Sequence, residues 1–380
     1  MAETSPVLSV HPSSCLVDEK VEVESHSEDG DDWEAFGHYT SDSSGRDESL
    51  GGTFEGVEAM GLLWSMRPVP ECKPGRRFQK NNVQTPVKVV FSVHEGHLAK
   101  GFKHQTPLTS ATAERWYLAP EVQSVEVTEG TLHLNACGFV MQALAPLDLW
   151  GGQGGHVEYR SALLASHGYV SLAQEYIGIL NAAGKLHHVD NTYFETAFTF
   201  LQKHPKVRPD RVAVMGMSFG VSVTLGLTAY SEIVKVNTSH VLIGRHIMPL
   251  KGSLAEVYAA LNVDKTRYDE KMRIIWRDLL LPIPNDPSKK VKMGEIKCPG
   301  EDDQNWPASE SAADMKKMME KAGNSHLLTV LSYPGTGLLI EPPYSPHVRF
   351  SDFKLLVAKT KGERLQSSSF FIEFLALVLC

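Results

Sequence analysis

Cysteine is scarce in this chain. Its 380 residues hold five, Cys15, Cys72, Cys137, Cys298 and Cys380. They are odd in number, lie far apart and include no C-x-x-C pair, which argues against both a disulfide framework and a zinc site. A reducing compartment is the expected home. Long apolar runs are lacking too. The most apolar stretch, "FFIEFLALVLC", has eleven residues and is interrupted by Glu373, whereas a bilayer span takes about 20, so no membrane span is expected. There is no excess of basic residues: 37 Lys plus Arg stand against 45 Asp plus Glu, for a net charge of -8. With no long basic run, nucleic acid is not the expected partner, although a phosphate-bearing ligand needs only a local basic patch. The first residues, "MAETSPVLSVHPSS", lack a basic segment followed by an apolar one, so no secretory signal is expected. The sequon Asn237, Thr238, Ser239 is then expected to be idle and the protein cytoplasmic. The final Val378, Leu379, Cys380 resemble neither a peroxisomal ending nor a prenylation box.

What is present reads as a globular protein, with 42% hydrophobic and 22% charged residues and length for roughly two domains. Two grammars divide it. Residues 1–130 look all-β: in "TPVKVVFSVHEG", Val87, Val89, Phe91 and Val93 alternate with Lys88, Ser92 and His94, the period of a half-buried strand. "VEVTEGTLHL" reads as two short strands around a turn at Gly130. Between them, clusters of Gly, Asp and Ser break the chain too often for helices, and a β-sandwich is the natural expectation. Residues 131–380 alternate strands and helices, which implies a mostly parallel sheet covered on both faces. In "DNTYFETAFTFLQKHP" the residues Phe194, Ala197, Phe198 and Leu201 fall on one helical stripe, Thr192 and Glu195 could form a capping box, and Pro205 stops the helix. That aromatic stripe is a core face.

The chemistry is concentrated in "RVAVMGMSFGVSV", residues 211–223. Val212 to Met215 make a strand-length apolar run. Gly216, Met217, Ser218, Phe219 and Gly220 fit a G-x-S-x-G nucleophile elbow, and Val221, Thr224, Leu225 and Thr228 then recur at helical spacing. The same residues would also suit a glycine-rich strand-to-helix turn without chemistry. A serine hydroxyl is a weak nucleophile at neutral pH and needs a histidine to take its proton and an acid to orient that histidine. In hydrolase order the acid follows the serine, and "GEDDQNW" supplies Asp302 and Asp303 ahead of the helix "SESAADMKKMMEKAG"; a solvated turn or a helix N-cap is the other reading of that pair. An oxyanion hole takes one backbone N–H from the residue after the nucleophile, Phe219, and one from an earlier strand-end loop. "LDLWGGQGGHVEYR" is such a loop, with Gly152 as the expected donor. It lacks G-x-G-x-x-G spacing, which disfavours a nicotinamide site. His187 and His188 lack i, i+4 partners, so neither metal nor cofactor is expected. The base is missing: after an expected strand "HLLTVLSYP" the chain turns through Gly335, Thr336 and Gly337, and the next residue is Leu338.

Taken together, "GGTFEGVEAMGLLWSM", "ATAERWYLAP", "EYRSALLASHGY", "YFETAFTFLQKHP", "GMSFG", "GEDDQNWPAS" and "YPGTGLLIEPPYSPH" resemble, in order, segments of the type I acyl-CoA thioesterases, a family shared with bile acid-CoA:amino acid N-acyltransferase. The resemblance implies an N-terminal β-sandwich, a C-terminal α/β-hydrolase domain, and hydrolysis of fatty acyl-CoA to fatty acid and CoA through a Ser, Asp, His triad. Carried over, Ser218 matches the nucleophile and Asp303 the acid. A serine at the elbow favours the thioesterase, because in the family a cysteine accompanies transfer to amines. The family histidine falls at Leu338, a side chain that can neither accept nor donate a proton. Other departures accompany it. The family's short strand before the acid loop is missing, since Pro299 runs straight into Gly300, which leaves Asp303 without a sheet anchor. "NACGFVMQALAP" replaces a Pro- and Gly-rich loop, the stretch before His26 is shortened, and residues after Lys361 no longer resemble the family. The resemblance would allow a peroxisomal home as well as a cytoplasmic one. The expectation is therefore a thioesterase with impaired activity; an acyl-CoA:amine acyltransferase and a catalytically silent acyl-CoA binding homologue are the alternatives.

Overall fold

The computed structural model describes residues 14–16, 32–41, 47–58, 60–70, 72, 77–94, 106–128, 130–135, 143–151, 156–176, 191–234, 237–239, 263–270, 275, 277, 303–304, 306–339 and 341–346. By internal contacts the chain divides into two compact units, with the break between Ala119 and Pro120. The segment starting at Glu341 returns to the first unit, where Glu341 Oε1 lies 3.5 Å from Arg77 Nη1.

The first unit is built of short strands: β1 (Ser14–Leu16), β2 (Trp33–Glu34), β3 (Gly37–Ser41), β4 (Asp47–Gly52), β5 (Arg67–Pro68), β6 (Val87–Val93) and β7 (Thr109–Trp116), with one short helix, α1 (Gly61–Ser65). They pair as a three-stranded sheet β1-β7-β6 and two ribbons, β2-β5 and β3-β4. The alternation expected for β6 holds along its first part, where Val87, Val89 and Phe91 are buried and Lys88 is exposed. Trp33, Phe36, Phe54, Leu62 and Leu63 complete the buried set, and Phe54 meets Trp64 edge to face at 5.3 Å.

The second unit carries a six-stranded sheet in the order β13-β12-β10-β11-β9-β8. Its strands are β8 (Val122–Val127), β9 (Gly130–Asn135), β10 (Ala143–Leu149), β11 (Val170–Gln174), β12 (Val207–Gly216) and β13 (Asn237–Ser239). Pairing is parallel from β11 across β10 and β12 to β13, and antiparallel where β9 joins β11 and β8. The hairpin that the sequence groups with the N-terminal strands thus belongs to this larger sheet. Its turn needs Gly130: φ is 142°, and a Cβ there would overlap the Ala173 carbonyl of the neighbouring β11. The sequon residues form β13, in register with Val214, Met215 and Gly216.

Helix α2 (Tyr159–Ser166) covers one face of the sheet; α3 (Asn191–Lys203) and α4 (Phe219–Tyr230) cover the other. Strand parity explains this. Leu147, Leu149, Val170, Leu172, Val212 and Val214 bury against Phe194, Phe198 and Leu201 of α3 and Val223 and Leu227 of α4. The aromatic stripe of α3 is core, as its spacing implies. The helix starts at Asn191, so Thr192 stands inside it and not at its cap. This is the α/β-hydrolase arrangement of strands and layers, with helices on both faces of a largely parallel sheet.

One expected element is absent. Residues 326–334 form no strand: a 3-10 turn covers Ser325–Leu327, and beyond it pairing is limited to an isolated bridge at Tyr333. Leu328, Val330, Leu338 and Leu339 instead pack into an apolar cluster with α4 and with α5 (Ala308–Lys321).

Candidate active site

Strand β12 ends at Gly216 and α4 begins at Phe219, so Ser218 occupies the sharp turn between them. Its backbone sits at φ 54° and ψ -121°, a left-handed conformation that costs a non-glycine residue about 1–3 kcal/mol and is found where a fold holds a side chain in place for use. The flanking glycines have steric causes. A Cβ on Gly216 would overlap the Gly220 carbonyl and the Thr224 hydroxyl, and one on Gly220 would overlap the Leu149 carbonyl and stand 2.6 Å from the Trp150 carbonyl. The spacing of small residues read from the sequence is thus what lets the chain double back. Phe219 opens the helix, where the first backbone N–H groups have no partner within the helix.

The loop after β10 approaches the elbow from the other side. Met217 N–H donates to the Leu149 carbonyl at 3.1 Å, and a Cβ added to Gly151 would stand 2.9 Å from Ser218 Cβ. Gly152 lies outside the described residues; the glycine that touches the serine is Gly151. This loop is anchored by groups that the motif reading did not single out. Asp148, wholly buried on the α2 face, pairs with Arg160 of α2 and accepts the Ser161 hydroxyl at 3.2 Å. Burial pushes the Asp148 carboxyl above the ordinary carboxylate range, against the opposing pull of Arg160. The Arg160 guanidinium also lies 4.7 Å from the centre of the Trp150 ring, at cation–π range. Tyr176 donates its hydroxyl to the Trp150 carbonyl, stacks on Phe219 with ring centres 6.5 Å apart, and meets Phe194 edge to face at 5.4 Å. Burial raises its phenol far from ionisation. A charged residue inside each apolar segment, Asp148 in "LDLW" and Arg160 in "EYRSALL", was the signal that could have marked this pair.

A second serine–histidine contact is structural. Ser124 and His133 face each other across β8 and β9, Oγ to Nδ1 at 2.9 Å, with Glu158 3.2 Å from His133 Nε2. Ser124 stands mid-strand and not at a strand-to-helix turn, and His133 is fully buried.

Asp303 is fully buried, which removes the solvated-turn reading. It is not an N-cap either, since α5 is capped by Pro307. Its Oδ1 accepts the Trp306 N–H at 3.0 Å, and Arg277, paired with Glu310 of α5, donates to the Asp303 carbonyl at 3.2 Å. Asp303, expected to be poorly held for want of a strand before it, is tied by these contacts to the segment that leads into α5. Asp302 lies outside the described residues. Leu338 is buried among Val221 and Leu225 of α4 and Ala308, Ala312, Met315 and Met319 of α5. The structure thus gathers the helix behind Ser218, the helix behind Asp303 and Leu338 into one cluster. Among the described residues, no group of His, Cys, Asp or Glu is arranged to hold a metal ion, and no helix is long and apolar enough to cross a membrane.

Comparison with known proteins gives the same picture. Residues 8–129 match the model of the Acyl-CoA thioester hydrolase/BAAT N-terminal region, and residues 189–361 match that of the BAAT / Acyl-CoA thioester hydrolase C terminal. The chain is 32% identical to the peroxisomal succinyl-coenzyme A thioesterase of Mus musculus over 339 residues, covering 82% of this chain and 76% of that protein. It is 30% identical to the bile acid-CoA:amino acid N-acyltransferase of Homo sapiens, covering 89% and 88%. With acyl-coenzyme A thioesterase 1 of Mus musculus the identity is 31%, covering 82% and 76%. Similarity at this level, over most of each partner's length, places the chain in the family of acyl-CoA thioester hydrolases and bile acid-CoA:amino acid N-acyltransferases.

Proposed function

We propose that this protein binds fatty acyl-CoA and hydrolyses its thioester slowly, with Ser218 as nucleophile. The observation that carries the reading is the elbow: a serine at φ 54°, between glycines that admit no Cβ, at the N-terminus of a helix. Ser218 Oγ attacks the thioester carbonyl, and the oxyanion that forms is met by the Phe219 N–H and by the loop at Gly151 and Gly152. The serine proton passes to water; collapse of that intermediate breaks the C–S bond and releases CoA, whose thiolate takes a proton back from water, and a further water attacks the acyl-serine to give the fatty acid and restore the Ser218 hydroxyl.

Proton transfer sets the rate. With Leu338 in the base position, no imidazole stands there to take the serine proton or to be oriented by Asp303, read as the acid. Where a triad loses its base, oxyanion donors and binding still leave roughly 10³–10⁴ over water, and a thiolate is a good leaving group. Slow turnover is the consequence. The test is release of free CoA thiol from palmitoyl-CoA by the purified chain and by Ser218→Ala. The reading expects a slow release that Ser218→Ala abolishes. Equal release by both proteins would remove Ser218 from the chemistry, and acyl-amide formation in the presence of glycine or taurine would make the protein an acyltransferase.

A further inference from the structure

Gln174 is the last residue of β11, in register with Leu149 of β10, which is itself in register with Gly216 of the elbow strand. It shares strand parity with Val170 and Leu172, so it belongs to the face covered by α3 and α4. The residue is 4% exposed, and neither its Oε1 nor its Nε2 has a hydrogen-bond partner. Burying an amide with both atoms unsatisfied works against folding. A leucine would fill a similar volume without that cost, so the glutamine needs a reason to be there.

The surroundings point to a ligand. Gln174 leads into Glu175 and Tyr176, and the first turn of α3 packs on this segment: Tyr193 donates to the Glu175 carbonyl at 2.6 Å, and Phe194 meets the Tyr176 ring. On that same turn Asn191 has a second buried oxygen without a partner, its Oδ1. From Phe219, beside the elbow serine, ring contacts run through Tyr176 to Phe194, so the strand end that carries Gln174 is packed into the same aromatic cluster as the elbow. Two strand spacings, about 10 Å, separate Gln174 from Gly216 along the sheet edge. A medium-length acyl chain covers that distance.

We propose that Gln174 is the polar contact of an acyl subsite and selects acyl groups bearing a hydroxyl some way along the chain; this rests on the acyl-CoA reading above. An amide offers one acceptor and a pair of donor hydrogens. A hydroxyl uses both functions, donating to Oε1 and accepting from Nε2. A carboxylate would engage Nε2 alone and set its charge against Oε1, and Arg160 is engaged with Asp148 on the opposite face of the sheet. A plain alkyl chain would leave both atoms as they are.

The test uses the full chain, its Gln174→Leu variant, and two non-hydrolysable thioethers, octyl-CoA and ω-hydroxyoctyl-CoA, with affinities from calorimetric titration and melting temperatures recorded without ligand. The native chain should bind the hydroxylated ligand about tenfold more tightly than octyl-CoA, the difference expected of a hydrogen-bonded pair that replaces unsatisfied groups. Gln174→Leu should erase that preference, keep or improve octyl-CoA binding, and melt at a higher temperature. A variant that melts lower or does not fold would overturn the proposal, because it would show that the amide serves the fold. Equal affinity of the native chain for the two ligands would overturn it while leaving the acyl-CoA reading intact. Binding of neither ligand would overturn both.

Discussion

Gly151 stands so near Ser218 that a Cβ built on it would lie 2.9 Å from the serine Cβ and 3.3 Å from Oγ. The two residues come from different strand ends, β10 and β12, so their contact is where the loop after β10 and the elbow are fitted together. Gly151→Ala should push the hydroxyl off its position with little loss of fold. A displacement of the order of 1 Å costs about a hundredfold in reactivity. Labelling of Ser218 by a fluorophosphonate should slow by that order while the melting temperature moves by a few degrees at most. Unchanged labelling would mean that the contact does not set the serine.

The Asp148–Arg160 pair gives a prediction about the scaffold. Both groups are buried, so removing one leaves the other charged and unsolvated. Asp148→Asn should destabilise the protein by about 3–5 kcal/mol in denaturant titration, whereas Asp148→Leu combined with Arg160→Met should recover much of that loss. A double variant no better than the single one would show that the Arg160–Trp150 contact, not the ion pair, is what the loop depends on.

His204 follows the last turn of α3, and burial, with a smaller effect of Lys206, holds its imidazole below the ordinary 6.5. A depressed folded-state value means that the unfolded chain takes up the proton first. The stability from a neutral His204 is complete above 6.5 and is lost as pH falls through the lower folded value. The residue is only partly buried, so the effect should be small. His204→Asn should flatten the melting temperature between pH 7 and pH 5 by comparison with the native chain, and an unchanged slope would assign the dependence to other groups.

Much of this was legible from local pattern. The run Val212 to Met215, the two glycines around Ser218, the stripe Phe194 to Leu201 and the helix ahead of Lys321 are all set by neighbours in sequence, and the structure has each of them. What the pattern missed was set by distant partners. "HLLTVLSYP" has the composition of a strand, yet pairing there is limited to a bridge at Tyr333, because composition does not supply a partner. The Gly130 hairpin reads like the N-terminal strands, but its partner is β11, some forty residues on. Asp303 was expected to be poorly held for want of a sheet anchor, whereas its carboxylate takes the Trp306 N–H and its carbonyl takes Arg277. The orphaned amide of Gln174 is invisible in sequence, since only the packed fold shows which polar groups find no partner.

The central claim is that a built elbow lacks only its base. Leu338 lies in an apolar cluster with the helices that follow Ser218 and Asp303, so an imidazole there should reach the site at a stability cost of about 1–3 kcal/mol for burying a polar ring. The measurement is steady-state release of CoA from palmitoyl-CoA by the native chain, by Leu338→His, and by Leu338→His with Ser218→Ala, each shown to be folded. A positioned general base contributes about 10²–10⁴. We therefore expect Leu338→His to release CoA at least about a hundredfold faster than the native chain, and Ser218→Ala to remove the whole gain. A native chain that already turns over at an ordinary enzymatic rate, or a folded Leu338→His variant no faster than it, would contradict the account.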